Sequence, residues 1–320
     1  MRLLYLINGL GAGGAERSLA ELLPHMRAAG IETTVVCLRR REIGVESEVR
    51  LTDCRVEVLA GRTHLQRARE LRLLLREIRP DVVHTTLFDS HVAGRLGAAG
   101  TGIPVISSLV GTPYVASRAR DERLSRKAFR FVREIDGWTA RHLTTHFHAI
   151  SHAVRDSYVA ALGIRPERIT VIERGRDTHR LGEPSEERRL RVRAMLGIAA
   201  DQPVLINVGR QEHPKGQWTL LQAAASLLPR NPELRVLIAG REGHMTPALR
   251  SMHAQLGLNG HVVFLGHRTD VPDLLAASDI FVFPSLHEGL GGAALEAMAL
   301  GLPVVASDLP ALREVVEHGR

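Results

Sequence analysis

Short apolar runs alternate with longer amphipathic runs along almost the whole chain, and this alternation is what most constrains the fold. Strands that are apolar throughout and separated by helices indicate parallel sheets with helices on both faces. The predicted strands fall in two series, residues 3–8, 33–38, 56–59, 81–85, 103–109, 146–150 and 169–173, and then 203–209, 234–240, 261–266, 280–284 and 303–307.

The helical runs between these strands show a 3.6-residue period. The clearest is "HLQRARELRLLLREI", residues 64–78, which ends before Pro80. Five of its apolar residues share one face, Leu65, Ala68, Leu71, Leu75 and Ile78. A polar, turn-rich stretch over 174–202 separates the two strand series. We therefore predict an α/β chain with two Rossmann-like domains, 1–174 and 175–320, and a ligand cleft between them.

The end of the sequence is unusual for a domain of this kind. The run "ALREVVEHGR" has the pattern of a helix that stops where the chain stops. About 145 residues remain for the second domain, which lacks an obvious closing element. The expectation from the sequence is a C-terminal domain that is incomplete.

Composition limits the class of protein. The 320 residues are 44% hydrophobic and carry a net charge of +7, so a folded, basic protein is expected. Cys37 and Cys54 cannot form a disulfide framework, which favours a reduced, cytosolic setting. The densest basic stretch is 117–134, where Leu124, Ala128 and Phe131 recur at helical spacing. A solvated helix and a face on an anionic membrane both fit it, whereas a nucleic-acid partner is not expected.

The first strand is followed by a glycine-rich turn. Gly9, Gly11 and Gly14 match G-x-G-x-x-G, in which free amides at a helix start can bind a phosphate group. A dinucleotide-binding protein would place an acid after the second strand, but Arg39 to Arg41 stand there. A phosphate-bearing ligand, an NADP-linked oxidoreductase and a plain tight turn all remain open.

The second half carries two charged loops after predicted strands. Arg210 and Lys215 lie in "NVGRQEHPKG", and two cations in that position suit a diphosphate leaving group. Glu288 and Glu296 lie in "HEGLGGAALE", with Glu288 before a glycine turn and Glu296 in the following helix. Glu296 could accept hydrogen bonds from a ribose. Solvated cations, a turn cap and a helix-dipole role are the alternatives.

Four stretches together resemble one enzyme family. "HEGLGGAALEAMALGLPVVASD" resembles the E-x7-E signature of the family 4 retaining glycosyltransferases, and "NVGRQEHPKG" resembles their G-R-x4-K-G motif. "GAGGAERSLAELL" is similar to their N-terminal glycine loop, and the segment ending "ERGRD" is similar to the end of their first domain, with Gly175 and Asp177 in the usual places. The resemblance implies the GT-B architecture, a nucleotide-activated sugar donor and no metal ion.

The resemblance also implies roles for individual residues. Arg210 and Lys215 would hold the donor diphosphate and, with Glu288, form the catalytic set. Glu296 would bind the ribose hydroxyls. The remaining implied contacts are with backbone groups of Gly289, Leu290 and Gly291 and, from the first domain, of Gly13 and Gly14.

One departure from the family pattern concerns the first domain. Many relatives carry a histidine after the fifth strand, where this chain has Val110. His84 and His91 are candidate substitutes, although packing roles are favoured for both. Because the chain contains no Asp-x-Asp pair, a metal-held diphosphate is not expected.

The predicted function is transfer of a sugar from a nucleoside diphosphate sugar to a glycan or lipid-linked acceptor, in cell-envelope polysaccharide or lipopolysaccharide synthesis. No cofactor is expected besides the donor substrate. The basic first domain suggests peripheral contact with the inner membrane face. A sugar-nucleotide-binding subunit without turnover and a nucleotide-sugar epimerase are the alternatives.

Overall fold

The computed structural model describes residues 1–114 and 125–319. The chain divides into two compact units, Met1–Arg174 and Gly175–Arg320. Leu124, which belongs to the predicted basic helix, lies outside the described residues.

The described part of the first unit contains a seven-stranded parallel sheet in the order β3-β2-β1-β4-β5-β6-β7. Its strands are β1 Arg2–Ile7, β2 Glu32–Cys37, β3 Arg55–Val58, β4 Val82–Thr86, β5 Val105–Leu109, β6 His146–Ala149 and β7 Ile169–Val171. The helices are α1 Gly14–Ala28, α2 Glu46–Arg50, α3 His64–Ile78, α4 Phe88–Ala98, α5 Arg126–Leu143 and α6 His152–Leu162, with a 3₁₀ turn at Pro166–Arg168.

The second unit contains a five-stranded parallel sheet in the order β10-β9-β8-β11-β12. Its strands are β8 Val204–Val208, β9 Arg235–Ala239, β10 Val262–Gly266, β11 Ile280–Phe283 and β12 Val304–Ala306. The helices are α7 Thr178–Leu181, α8 Glu186–Met195, α9 Gln217–Leu227, α10 Thr246–Gln255, α11 Val271–Ala276, α12 Gly292–Ala299 and α13 Pro310–Arg313, with a 3₁₀ turn at His213–Lys215.

Each sheet is covered on both faces because alternate side chains of a strand point to opposite sides. In β1, Tyr5 and Ile7 belong to one buried apolar cluster, whereas Leu4 and Leu6 belong to another. In β8 the alternation is the same, with Ile206 in one cluster and Leu205 packed against the other. This two-sided burial explains why the strands are apolar throughout.

The α/β class with two Rossmann-like parallel sheets, predicted from the sequence, is confirmed. Every predicted strand is a strand, and the helix predicted over 64–78 has those bounds. Thr63 begins that helix with a capping box, in which its hydroxyl accepts from the amide of Gln66 and the Gln66 side chain accepts from the amide of Thr63. Arg79 ends it in the left-handed conformation, directly before Pro80.

Candidate functional site in the second unit

The strand order of the second sheet places its switch point between β8 and β11. In open α/β sheets, the segments that follow two such strands run to opposite faces of the sheet. A crevice is left between them at the carboxyl ends of the strands. The segment after β8 leads to Arg210 and Lys215, and the segment after β11 leads to Glu288 and α12. The charged residues predicted from the sequence therefore lie at the position where this fold binds ligands.

Lys215 and Glu288 form an ion pair across the switch point. The Lys215 Nζ donates to Glu288 Oε1 at 2.6 Å, and the Ser285 hydroxyl donates to the same oxygen at 2.8 Å. Lys215 Nζ also lies 5.3 Å from the centre of the Phe283 ring, within cation–π distance. Glu288 is 12% exposed and Lys215 is 24% exposed, so both are partly shielded and still reachable by a ligand.

The two loops are held together by their backbones. Gly216 has a φ of +60°, and a Cβ at this position would lie 2.0 Å from the carbonyl oxygen of Pro284. The amide of Leu286 donates to the carbonyl of Pro214 at 2.9 Å. Glycine at 216 is therefore required both by its conformation and by the approach of the neighbouring loop.

Two buried amide side chains fix the strands beneath these loops. The Asn207 amide donates to the carbonyl of Val282 at 2.8 Å, which links β8 to β11. The Gln217 amide donates to Asn207 Oδ1 at 3.1 Å and to the carbonyl of Gly209 at 3.0 Å. These bonds join the start of α9 to both strands, so Lys215 is presented from a rigid support.

Glu296 is paired with an arginine that the sequence analysis did not select. Arg176 Nε donates to Glu296 Oε1 at 2.7 Å, and the Arg176 side chain is only 10% exposed. A Cβ at Gly292 would lie 1.8 Å from Arg176 Nη2. The glycine at the start of α12 therefore leaves space for the guanidinium beside the carboxylate.

The other predicted residues of this unit surround these pairs. Gly291 is the N-terminal cap of α12, with a φ of +89° that favours glycine. Leu290 is buried, and Gly289 lies in the loop directly before it. Arg210 is exposed and lies two residues beyond β8. The structure thus brings Lys215 and Glu288 into direct contact, and pairs Glu296 of α12 with Arg176, which lies just before α7.

Arg176 and Ser285 are the site residues that sequence reasoning missed. Arg176 is separated from Glu296 by 120 positions, and no local pattern links the two. It does lie between Gly175 and Asp177, inside a stretch that already resembled the family, and this is the signal that could have found it. Ser285 lies three residues before Glu288, a spacing from which a hydroxyl can reach the carboxylate.

In the first unit, Gly13 and Gly14 lie at the start of α1. Gly13 is the N-terminal cap, and a Cβ there would lie 2.3 Å from Glu16 Oε2. The carboxylate of Glu16 thus lies against the positive end of the helix dipole. Gly14 is exposed and has open space around it. A phosphate or acceptor contact through these two glycines stays a prediction.

The remainder of this turn is explained by packing. A Cβ at Gly9 would lie 2.7 Å from the carbonyl oxygen of Arg39, and one at Gly44 would lie 1.9 Å from that of Leu10. Gly11 and Gly44 form an isolated antiparallel bridge. The glycines at 9 and 44 therefore let two loops at the carboxyl ends of β1 and β2 come together.

Of the two histidines considered as substitutes at position 110, His91 is buried in the first unit and His84 is half-buried there. His84 stacks on Tyr5 at 4.6 Å and shares a 2.7 Å hydrogen bond with Ser108, and burial lowers its pKa to about 3. His91 Nδ1 shares a 2.9 Å hydrogen bond with Thr85, and burial lowers its pKa well below the ordinary value. Val110 directly follows β5. The favoured packing role agrees with both environments.

The described residues contain no group of three or more histidine, cysteine, aspartate or glutamate side chains arranged to hold a metal ion. Across the same described ranges, no helix has the length and apolar character that crossing a membrane requires.

Comparison with known families decides the affiliation of the chain. Residues 12–180 match the family model described as Glycosyltransferase Family 4, and residues 189–320 match the one described as Glycosyl transferases group 1. The chain belongs to glycosyltransferase family 4. The resemblance noted in the sequence is therefore confirmed over both units.

Two curated members of the wider group illustrate the similarity. The UDP-Gal:alpha-D-GlcNAc-diphosphoundecaprenol alpha-1,3-galactosyltransferase of Escherichia coli is 27% identical over 239 residues, which is 74% of this chain and 60% of that protein. The 2-deoxystreptamine N-acetyl-D-glucosaminyltransferase of Streptomyces fradiae is 31% identical over 257 residues, 76% of this chain and 58% of that protein. This family 4 chain thus spans about three-fifths of the length of each.

Solved structures agree with the family assignment. The Anabaena protein Alr3699/HepE, crystallised in complex with UDP-glucose, superposes with a TM-score of 0.85 at 25% identity, covering 100% of this chain and 84% of that one. WaaG, a glycosyltransferase involved in lipopolysaccharide biosynthesis, superposes with a TM-score of 0.77 at 19% identity, covering 98% and 83% of the two chains. At 19% identity, the similarity to WaaG supports only the fold of this family 4 chain.

Proposed function

We propose that this family 4 chain transfers a glycosyl group from a nucleoside diphosphate sugar to a glycan or lipid-linked acceptor of the cell envelope, with retention of the anomeric configuration and without a metal ion. The observation that carries the proposal is the pairing of Lys215 with Glu288 at the switch point of the second sheet, together with the pairing of Arg176 with Glu296 of the following helix, α12. The donor is a substrate, and no cofactor is required.

The charges of the site suit a departing diphosphate. Lys215 supplies an ammonium group beside Glu288, and Arg210 supplies a second cation at the exposed side of the same loop. Preorganised cations stabilise the negative charge that develops on a leaving phosphate, and this electrostatic contribution is commonly the largest in such reactions. A pair of protein cations can thus neutralise the diphosphate, the task for which other transferases use a metal ion.

The carboxylates suit the neutral parts of the donor. Glu296 accepts hydrogen bonds from paired ribose hydroxyls, while Arg176 holds one of its oxygens at 2.7 Å and limits its rotation. Lys215 and Ser285 hold Glu288 in place. When the sugar ring lies over the loop before α12, Glu288 accepts hydrogen bonds from its hydroxyl groups. A fixed carboxylate positions the donor for attack at the anomeric carbon.

The nature of the acceptor is supported by the relatives. The Escherichia coli relative is named for an acceptor linked to diphosphoundecaprenol. We therefore assign this chain an acceptor of the same broad class, a lipid-linked or envelope glycan. The donor panel described below identifies the base and the sugar of the donor, and analysis of the product identifies the linkage.

The test is a donor panel scored by nucleoside diphosphate release, with cell-envelope extract as acceptor. We expect K215A to lower turnover by roughly 10²–10³-fold, because it removes a charge that acts on the leaving group, and E296A to weaken donor binding measured by calorimetry. The matched controls are R250A and E242A, which break an exposed ion pair of the same unit and should leave both quantities unchanged.

Other outcomes are equally informative. Release of nucleoside diphosphate at the wild-type rate by both K215A and E296A would contradict the assignment of these residues to the donor site. Donor binding without any product would indicate a binding subunit, and an isomerised donor without acceptor would indicate an epimerase. Retention is tested by the anomeric configuration of the product in NMR spectra, and metal independence by undiminished turnover in excess chelator.

A further inference from the structure

Helix α5 presents two large aromatic side chains to solvent. Phe131 is 67% exposed and Trp138 is 51% exposed. Every other phenylalanine, tyrosine and tryptophan in the described ranges is buried or half-buried. Residues seven apart lie on the same side of a helix, so the two rings form one apolar strip. An exposed aromatic strip of this kind marks a surface that contacts a partner.

The strip cannot turn inward, because the opposite side of α5 is fixed in the core. Asp136 is buried and accepts from Arg95 Nη1 at 2.6 Å, and the Tyr114 hydroxyl donates to its other oxygen at 2.6 Å. Thr139 and Ala140 are buried on the same side. The rotation of the helix is therefore set by a buried ion pair and by packing.

The charge around the strip is strongly positive. We call the exposed side of α5 the aromatic-basic face, and its basic members are Arg126, Lys127, Arg130, Arg141 and His142. Its exposed acid is Glu134, which lies 3.5 Å from the guanidinium of Arg133. Three of the basic residues precede Trp138 and two follow it, so cations flank the aromatic strip at both ends.

We propose that the aromatic-basic face docks onto the surface of a bilayer containing anionic phospholipids. Tryptophan and phenylalanine insert at the level of the headgroups, where one edge of the ring is apolar and the other is wet. Lysine and arginine around them attract anionic headgroups. This combination favours a lipid surface over nucleic acid, whose phosphates need cations but no inserted rings.

The docking surface goes beyond the proposed glycosyl transfer and does not depend on it. Its residues belong to the first unit, whereas the proposed donor residues Lys215 and Glu296 belong to the second. Loss of vesicle binding and loss of donor turnover are therefore separate results. If both proposals hold, the docked face brings the chain to the surface where a lipid-linked acceptor resides.

The test is flotation of the full chain with vesicles of phosphatidylcholine alone or mixed with phosphatidylglycerol. We expect binding to the mixed vesicles only, and weaker binding at high salt. R126S/R130S should lower the partition coefficient by roughly tenfold or more, because each basic residue near an anionic surface contributes a factor of about five. F131A/W138A should lower it by about tenfold or more, since the inserted rings lose their burial.

Matched controls use the exposed side of α3, in the same unit. L65A/L73A removes two apolar side chains that are 65% and 64% exposed, and R69S/R76S removes two exposed charges. Both control variants should bind vesicles as the wild type does. Circular dichroism of each variant checks that the chain still folds.

Trp138 also reports its own environment. In the W218F variant it is the remaining tryptophan of the chain, so its emission should shift to the blue on the mixed vesicles and be quenched by brominated lipid. Unchanged emission with bound vesicles would overturn the proposed face. Equal vesicle binding by F131A/W138A and L65A/L73A would also overturn it. Salt-sensitive binding of the chain to single-stranded DNA, without binding to vesicles, would do the same.

Discussion

At the scale of single residues, the candidate site depends on positions where only one residue type fits. Gly216 combines a φ of +60° with a carbonyl oxygen 2.0 Å from where its Cβ would stand. A side chain at this position requires the Pro284 loop to move away from the Lys215 loop. The Lys215–Glu288 ion pair joins these two loops, so its geometry depends on the glycine at position 216.

We predict that G216A both destabilises the second unit and weakens donor binding. The left-handed conformation alone costs a non-glycine residue roughly 1–2 kcal/mol, and displacement of Pro284 adds to that cost. The control is G257A, where φ is +65° but no atom lies within 4 Å of the added Cβ. Thermal unfolding and donor titration measure both effects. Equal losses of stability in the two variants, with unchanged donor affinity, would refute this account.

At the scale of elements, helix α5 is attached to the first sheet by charge as well as by apolar packing. Arg95 of α4 and Asp136 of α5 are both almost fully buried and lie 2.6 Å apart. Thr139 Oγ1 accepts a further hydrogen bond from Arg95 at 3.2 Å. Removing one partner of a buried pair leaves the other charged and unpaired, which is why such pairs have large effects when broken.

We predict that D136N lowers the free energy of unfolding of the first unit by about 3–5 kcal/mol, because Arg95 keeps its charge in a dry environment. The matched control is D53N, which removes a charge from the exposed Arg27–Asp53 pair, 2.7 Å apart and more than 60% exposed on both sides. Surface pairs of that kind contribute little. Denaturant titration of both variants checks the difference, and a loss in D136N no larger than in D53N would contradict it.

At the scale of the whole molecule, we expect the two units to differ in how their stability depends on pH. Among the described residues, the histidines whose pKa is lowered by burial are His84, His91 and His148, and all three lie in the first unit. A histidine with a lowered native pKa stays neutral when folded and takes up a proton when unfolded. The unfolded state then binds more protons, so stability falls as the pH decreases.

We predict that the unfolding transition of the first unit shifts to lower temperature as the pH falls below 6.5, the ordinary pKa, towards the native value of about 3 for His84. One such group contributes up to about 1.4 kcal/mol per pH unit. The transition of the second unit should move less over this range, because the three histidines whose pKa is lowered by burial all lie in the first unit. Calorimetry at several pH values measures both transitions.

The controls for this prediction are H84Q and H25Q. His84 is held between Tyr5 and Ser108, whereas His25 is exposed on α1. The pH dependence should become shallower in H84Q and remain unchanged in H25Q. A first-unit transition that does not respond to pH in the wild type would show that His84 is protonated without cost.

The sequence by itself determined the local structure and the family. Helix positions follow from a period of 3.6 residues and strand positions from short continuous apolar runs, and both are properties of neighbouring side chains. The helix over 64–78 and all twelve strands could be predicted for that reason. The spacing of Glu288 and Glu296, and of Arg210 and Lys215, is equally local, and it carried the resemblance to family 4 glycosyltransferases.

The tertiary structure alone decided which of these residues meet. Lys215 and Glu288 are 73 positions apart, and Arg176 and Glu296 are 120 positions apart. Each pair forms only because the chain crosses between parallel strands in a particular order, and that order is set by how helices pack on the sheet. The contact of Arg176 with Glu296 was beyond local patterns for the same physical reason.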